Sequence, residues 1–246
     1  MGLKLKTIHW NIIVIIVILI IIALFNYGMN TESTVMSFPP TLVINMNKDT
    51  ERLKTLREDF KFAGWPVPLE RVEAVERKPG YIGCALSHMK CMELALERNY
   101  DWVLILEDDC LLKPRARDRF MALLPELWKR RSEWDNYYAG PVGIYPENGY
   151  KVINKDLGLI QIGGDCLHFV LIHKEACKKI LKKLNGLEKI PVIDIYYRTH
   201  FRTFTSVPYI AIQKPGESNI QTREGKTYMD FTEEYNQSEQ KLIALL

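Results

Sequence analysis

The 246-residue chain has no cysteine pair at CxxC spacing, no GxGxxG segment and no glycine-rich loop closing on a Walker lysine. The first absence argues against a zinc ribbon or finger, because such sites hold the metal on closely spaced thiolates. The other two remove the usual sequence support for dinucleotide-binding and P-loop chemistry. Strong charge of one sign is missing as well. The formal net charge is +3 and the basic residues are scattered, so nothing requires a nucleic-acid partner. The densest basic group, Lys178, Lys179, Lys182 and Lys183, reads as the wet side of a helix. There is no internal repeat and no low-complexity tract. The five cysteines, Cys84, Cys91, Cys110, Cys166 and Cys177, allow a disulfide without specifying one, and leave at least one thiol unpaired in a monomer.

What is present begins with hydrocarbon. Residues 8–25 are almost wholly apolar, and about eighteen helical residues reach roughly 27 Å, enough for a thin bilayer. Trp10 and Tyr27 sit at the two edges as interfacial aromatics do, and Lys4 and Lys6 precede the span. The positive-inside rule then gives a cytoplasmic tail at 1–7, a transmembrane signal anchor at 8–27, a stem at 28–40 and one domain at 41–246. The expectation is a single-pass type II membrane protein whose domain is lumenal (endoplasmic reticulum or Golgi) or external, in a cell or in a virus using its secretory pathway. A cleaved signal peptide is the alternative, but the apolar core is long and no small-x-small cleavage site is clear. Asn236-Gln237-Ser238 is an N-glycosylation sequon.

The most informative junction is internal. Residues 102–106, Trp-Val-Leu-Ile-Leu, run directly into Glu107, Asp108 and Asp109. The apolar run is too short for a helix and reads as a strand covered on both faces. In open α/β sheets ligands bind just beyond such strand ends. Adjacent carboxylates raise one another's proton affinity unless a cation lies between them, and oxygen ligands suit Mg²⁺, Mn²⁺ or Ca²⁺. If the strand geometry continues, Glu107 and Asp109 share a face. The plainer alternative is a solvated acidic turn.

Around this junction the pattern alternates. A strand is expected at 41–45, then a helix capped by Asp49 or Thr50 with Leu53, Leu56, Phe60 and Ala63 inward, ending at Gly64 and Pro66. A strand at 69–75 and a helix at 83–97 precede the acidic strand. After Pro114 a helix buries Phe120, Leu123, Leu124 and Leu127. Strands at 136–139, 167–172 and 207–212 and a helix at 174–184 complete the reading. Strand–helix alternation over the first hundred residues of the domain predicts a parallel sheet wrapped by helices.

Two glycines, Gly80 and Gly83, precede Ser87 and His88 at the start of the 83–97 helix, where backbone can approach an anion. Turn glycines and a buried helix histidine are the plainer readings. Ser87 and His88 do not face each other on a helix, which weakens a serine-hydrolase reading.

Taken in order, Val43-Ile44-Asn45 with Arg52, Val72-Glu73-Ala74-Val75, Gly83-Cys84-Ala85-Leu86-Ser87-His88 and residues 104–109 resemble glycosyltransferase family 25. That family includes bacterial lipopolysaccharide galactosyltransferases and collagen hydroxylysine galactosyltransferases. The resemblance implies an α/β GT-A type (Rossmann-like), mostly parallel sheet flanked by helices. It also implies a UDP-sugar donor, UDP-galactose first, and inverting transfer to a hydroxyl of a glycan or glycoprotein acceptor. Glu107, Asp108 and Asp109 would hold Mn²⁺ or Mg²⁺, and Asn45, Arg52, Glu73, Ser87 and His88 would line the donor cleft. Asp194, in Pro191-Val192-Ile193-Asp194, would be the general base, with a helix N-cap as its plainer role. Of His168, His173 and His200, the last ranks first as a further metal ligand. The chain departs from the family at Tyr81, where an acid is usual, at Glu76 in place of Asp, and in a shorter 75–80 loop. The alternatives are a catalytically inactive relative acting in binding or adhesion, and a Ca²⁺-dependent binding protein.

Overall fold

β1 (Thr41–Asn45), α1 (Thr50–Phe62), β2 (Leu69–Glu73), α2 (Gly80–Glu97) and β3 (Trp102–Glu107) alternate as the apolar periods predict. In this computed structural model, which describes residues 18, 37–146, 149–218 and 228–246, β2 and β3 flank β1 and run parallel to it. There follow β4 (Cys110–Leu112), α3 (Ala116–Lys129), β5 (Asn136–Tyr138), β6 (Lys151–Asn154), β7 (Leu159–Gln161) and β8 (Phe169–His173). The chain closes with α4 (Lys174–Asn185), α5 (Ile193–His200), β9 (Thr203–Ser206), β10 (Ala211–Gln213), β11 (Gly216–Glu217), β12 (Tyr228–Met229) and α6 (Thr232–Ile243).

The main sheet is mixed, in the order β2-β1-β3-β8-β5-β9-β7-β6. Its pairings set β8 and β7 against the direction shared by the other strands, so the sheet is mostly parallel in direction. Two ribbons, β10-β4 and β11-β12, stand apart from it.

Alternation along β3 and β8 divides the core into two layers. Val103, Ile105, Val170 and Ile172 pack with Ala85, Met89 and Met92 of α2 and with Ala176, Ile180 and Leu184 of α4. Phe169, paired with Leu106, points to the opposite layer. There Phe120 of α3 meets it edge-on at 5.1 Å and stacks on Trp65 at 5.6 Å, and Phe60 of α1 meets the same indole at 4.9 Å. Burial on both sides explains why β1 and β3 are continuous apolar runs.

Several boundaries move. The helix expected from Gly83 starts at Gly80, with Pro79 in extended conformation before it. Gly83 is there for packing, since a Cβ would lie 2.3 Å from the Val75 carbonyl oxygen. The strand expected at 207–212 does not form. The chain breaks at the cis Val207–Pro208 peptide, where proline has no N–H for a ladder, leaving β9 in the main sheet and β10 in a ribbon. The β6–β7 hairpin and α6 were not expected from the pattern. All five cysteines are free thiols. The sequon lies within α6, where Ser238 is buried. The predicted tail, anchor and most of the stem (1–7, 8–27, 28–40) fall outside the described residues, apart from Ile18 and 37–40. No helix among the described residues is long and apolar enough to cross a membrane.

Candidate active site

β1 and β3 are neighbours whose ends coincide, Ile44 lying opposite Glu107. The strand stops at Glu107, and the chain turns through Asp108 and Asp109 before resuming as β4. The turn is pinned from the other side. Gln213 of β10 pairs with Cys110, and Lys214 N–H donates to the Asp109 carbonyl at 2.7 Å. The strand does not continue beyond Glu107, yet the Glu107 charge still acts on Asp109. Asp108 and Asp109 are joined by a cation, the Arg52 guanidinium bridging them at 2.7 and 2.9 Å.

Arg52 reaches the turn because the short 46–49 link places α1 directly over the strand ends. Asn45, 2% exposed, fixes Asp108. Its Nδ2 donates to Asp108 Oδ2 at 2.7 Å and to the Asp49 carbonyl at 2.8 Å, and its Oδ1 accepts from Arg71 Nε at 3.0 Å. Gln213 Nε2 donates to Asp109 Oδ2 at 3.0 Å. Asp109 Oδ1 is buried without a partner among the described atoms.

Charge balance at the turn is incomplete. Burial, then the Glu107 charge, push the Asp109 carboxyl up to about 7 against the pull of Arg52. Burial also raises Asp108 to about 6, again opposed by Arg52 and by the Asn45 hydrogen bond. Glu107 goes the other way. Burial disfavours its charge, but the His88 hydrogen bond and the His88 and His168 charges hold it below the usual range. The orphaned Asp109 oxygen, and a guanidinium standing where a cation would bridge two carboxylates, fit a hard divalent ion held by oxygen ligands.

On α2, Cys84 and His88 lie one turn apart and both face Glu107. His88 is fully buried, with Nε2 donating to Glu107 Oε1 at 3.0 Å, and the Cys84 thiol donates to the same oxygen at 3.6 Å. An open cleft of about 600 Å³ collects the turn, Asn45, Arg52, Cys84 and Ser87 with Lys48, Arg77, Lys78 and the first residue of α2. A smaller cavity of about 80 Å³ shares Cys84 and Glu107 with the cleft and is lined further by Tyr81, Cys166, Leu167 and Asp194. Asp194 Oδ1 accepts from Ile195 N–H at 2.8 Å in the first turn of α5.

Most of the predicted site residues converge here: Asn45, Arg52, Ser87, His88, Glu107, Asp108 and Asp109 line or wall the cleft, and Asp194 lines the adjoining cavity. Ser87 among these also has a structural role. Ser87 Oγ donates to the Gly83 carbonyl at 2.7 Å and accepts from Val75 N–H at 2.8 Å, tying the loop to the helix. Glu73 is not among the cleft residues; it is exposed at the end of β2 and accepts from the Asn47 amide. His200 is exposed and stacked on Tyr196, and His173 caps α4, so neither joins the acids. His168 is the histidine beside Glu107: its carbonyl accepts from Glu107 N–H at 3.1 Å. Gln213, Arg71 and Cys84 were missed as site residues. Cys84 had a signal in its four-residue spacing from His88; Gln213 and Arg71 arrive only through β10 and β2.

Residues 78–140 match the profile of glycosyltransferase family 25 (LPS biosynthesis protein). A glycosyltransferase 25 family member of Anopheles gambiae is 29% identical over 191 residues, covering 65% of this chain and 31% of that protein. One of Aedes aegypti is 27% identical over 131 residues, covering 53% and 21%. Over these segments the chain is similar to glycosyltransferase family 25. The family 25 segment contains α2, β3 and the whole acidic turn. The chain spans about a third or less of the length of these two relatives. Among solved structures, a glycosyltransferase involved in glycosylation of the major capsid of PBCV-1 aligns with a TM-score of 0.46 at 14% identity, over 74% of this chain and 95% of that one.

Proposed function

We propose that this chain is a metal-dependent, inverting glycosyltransferase of GT-A type that moves a hexose, galactose first, from a UDP-sugar to a hydroxyl of a glycan or glycoprotein. The observation that carries this reading is the under-neutralised carboxylate turn at the joint end of β1 and β3, open to a cleft that also presents cations. A diphosphate suits that cleft. Lys48, Arg77, Lys78 and the N-terminus of α2, which has no acid in its first turn, supply positive potential around the acids. Asp108 and Asp109, with Glu107 beside them, would hold Mn²⁺ or Mg²⁺. Bound there, the ion supplies Lewis-acid stabilisation of the charge that develops on the departing nucleotide.

The chain's own groups supply the rest. Asn45 and Gln213 orient the two aspartates, and Arg52 is available to the diphosphate once a cation takes over their charge. Asp194 lines the adjoining cavity, which shares Cys84, Glu107 and Gln213 with the main cleft. In this reading it takes the acceptor hydroxyl proton as the oxygen attacks the sugar from the face opposite the leaving group. The predicted anchor at 8–27 would hold the domain in a lumenal or external compartment, where such acceptors are found.

The test is nucleotide release by the full chain from a panel of UDP- and GDP-sugars, with Mn²⁺ or with chelator, with and without acceptor. Release from a UDP-hexose that needs the metal and rises with acceptor supports the reading. No release from any donor, or full activity in Asp109→Ala, overturns it.

A further inference from the structure

The sequence argues against zinc because its cysteines are not paired, yet the fold assembles a mixed set of donors. Cys84 Sγ, His88 Nε2 and a Glu107 carboxylate oxygen all lie within 4.8 Å of one another. We propose that Cys84, His88 and Glu107 form a second metal site, selective for Zn²⁺-like thiophilic divalent ions and sharing Glu107 with the acidic turn.

Three features carry this. First, the spacing is close to what a tetrahedral ion needs. Zinc bonds of about 2.0–2.3 Å put neighbouring ligand atoms roughly 3.3–3.7 Å apart, and the sulfur and nitrogen here stand 3.6 and 3.0 Å from the Glu107 oxygen. Second, two of the ligands come from adjacent turns of one helix and the third from a strand end, so all are held on regular elements. Third, Cys84 and Glu107 line both the cleft and the smaller cavity, leaving a position for a fourth, exchangeable ligand. A thiolate and an imidazole prefer Zn²⁺ or Co²⁺ to Mg²⁺, whereas the all-oxygen set of the turn prefers hard ions. Binding releases the thiol proton and moves the imidazole proton to Nδ1, which has no partner among the described atoms. That orphaned N–H keeps the site weaker than a closed structural zinc centre. Since Glu107 serves both sets, Zn²⁺ at Cys84 and His88 withdraws it from the turn, and the hard ion binds there less tightly.

The metal-free full chain titrated with Co²⁺ should develop a thiolate-to-metal charge-transfer band in the near ultraviolet, displaced by Zn²⁺ added at equal concentration. Cys84→Ser should lose the band, Cys166→Ser should keep it, and His88→Gln should weaken Co²⁺ binding about tenfold or more. Absence of the band in the wild-type chain, or its survival in Cys84→Ser, overturns the proposal. If Cys84→Ser does not fold, the wild-type chain carries the test. Zn²⁺ should slow Cys84 alkylation about tenfold, read by peptide mass mapping, while Mg²⁺ should not; equal alkylation with and without Zn²⁺ overturns it. Both readouts are independent of transferase activity, so they separate this site from the reading of the acidic turn.

Discussion

Asp135, buried, and Asp109, half-buried, both flank main-sheet strands, one just before β5 and one just after β3, and the fold treats them in opposite ways. Asp135 receives Lys179 Nζ at 2.8 Å on both oxygens, the Arg202 guanidinium at 3.3 Å and the Arg202 backbone N–H at 2.9 Å. Burial works against its charge, but those partners outweigh it and hold the carboxyl below its ordinary range. Asp109 shares one guanidinium with Asp108, sits beside Glu107, and is pushed up to about 7. A structural carboxylate is neutralised by the fold itself; the acidic turn is left short of positive charge, as a ligand site would be.

The largest effects should separate these two aspartates. Asp109→Asn is expected to cut metal-dependent nucleotide release about a thousandfold while leaving the metal-free melting temperature unchanged or higher, because it removes a repelled charge. Asp135→Asn should do the reverse, losing about 2–4 kcal/mol of stability as Lys179 and Arg202 lose their partner, with activity of the folded protein within about twofold. Matching thermal melts for the two variants would erase the contrast. Asp194→Asn, in the adjoining cavity, should lower transfer about a hundredfold or more with donor binding retained, measured as nucleotide release against UDP-sugar affinity. A parallel loss of donor binding would make Asp194 part of the cleft wall instead of the acceptor-side base.

The contrast also shows what was legible before the fold was known. The acidic turn was visible because a doubly buried strand writes itself as an apolar run, so its end is marked in the sequence. Asp135 gave no such sign: its partners lie 44 and 67 residues away. The helical stripes on α1, α2, α3 and α4 followed from periodicity, and Cys84 and His88 already stood on one stripe of α2. That this stripe points at Glu107 depends on α2 packing across the end of β3, which no local pattern encodes. Misplaced elements had local causes. Pro208 interrupts an apolar stretch that otherwise reads as one strand, and α6, rich in Glu and Gln, buries too few residues, Tyr235, Ser238 and Leu242, to show a stripe.

Arg52 sharpens the comparison at smaller amplitude. If its guanidinium stands in for a cation, Arg52→Ala should destabilise the metal-free protein by about 1–2 kcal/mol and tighten Mn²⁺ binding about tenfold, since the ion no longer displaces a competitor. Calorimetric titration with Mn²⁺ reads this directly. Weaker Mn²⁺ binding in the variant would mean that Arg52 organises the aspartates for the ion.

The smallest effect is a slope in pH. A carboxyl raised to about 7 keeps its proton in the folded state between roughly pH 4 and 7, where the unfolded chain has lost it. Asp109 therefore contributes stability that is lost as pH rises through that window, and Asp108, raised to about 6, adds the same sign over a narrower range. His168 has the opposite slope. Burial holds it down to about 4, so between roughly pH 4 and 6.5 the unfolded chain binds a proton that the folded state does not, and stability rises with pH. Burial also raises Asp165 to about 6 and lowers His173, adding one group to each trend. The trends oppose each other below about 6.5, and above it Asp109 is the main contributor. Asp135 and Glu107, both lowered, have their windows at more acidic pH. The metal-free melting temperature should therefore fall between about pH 6.5 and 7.5. On the proposed reading Mn²⁺ takes the ionised carboxylates, so it should abolish that fall and raise the melting temperature more at pH 8 than at pH 5.5. A metal-free melt that is flat or rising above pH 6.5, or an Mn²⁺ shift equal at the two pH values, would mean that the turn is already neutralised within the fold, as Asp135 is.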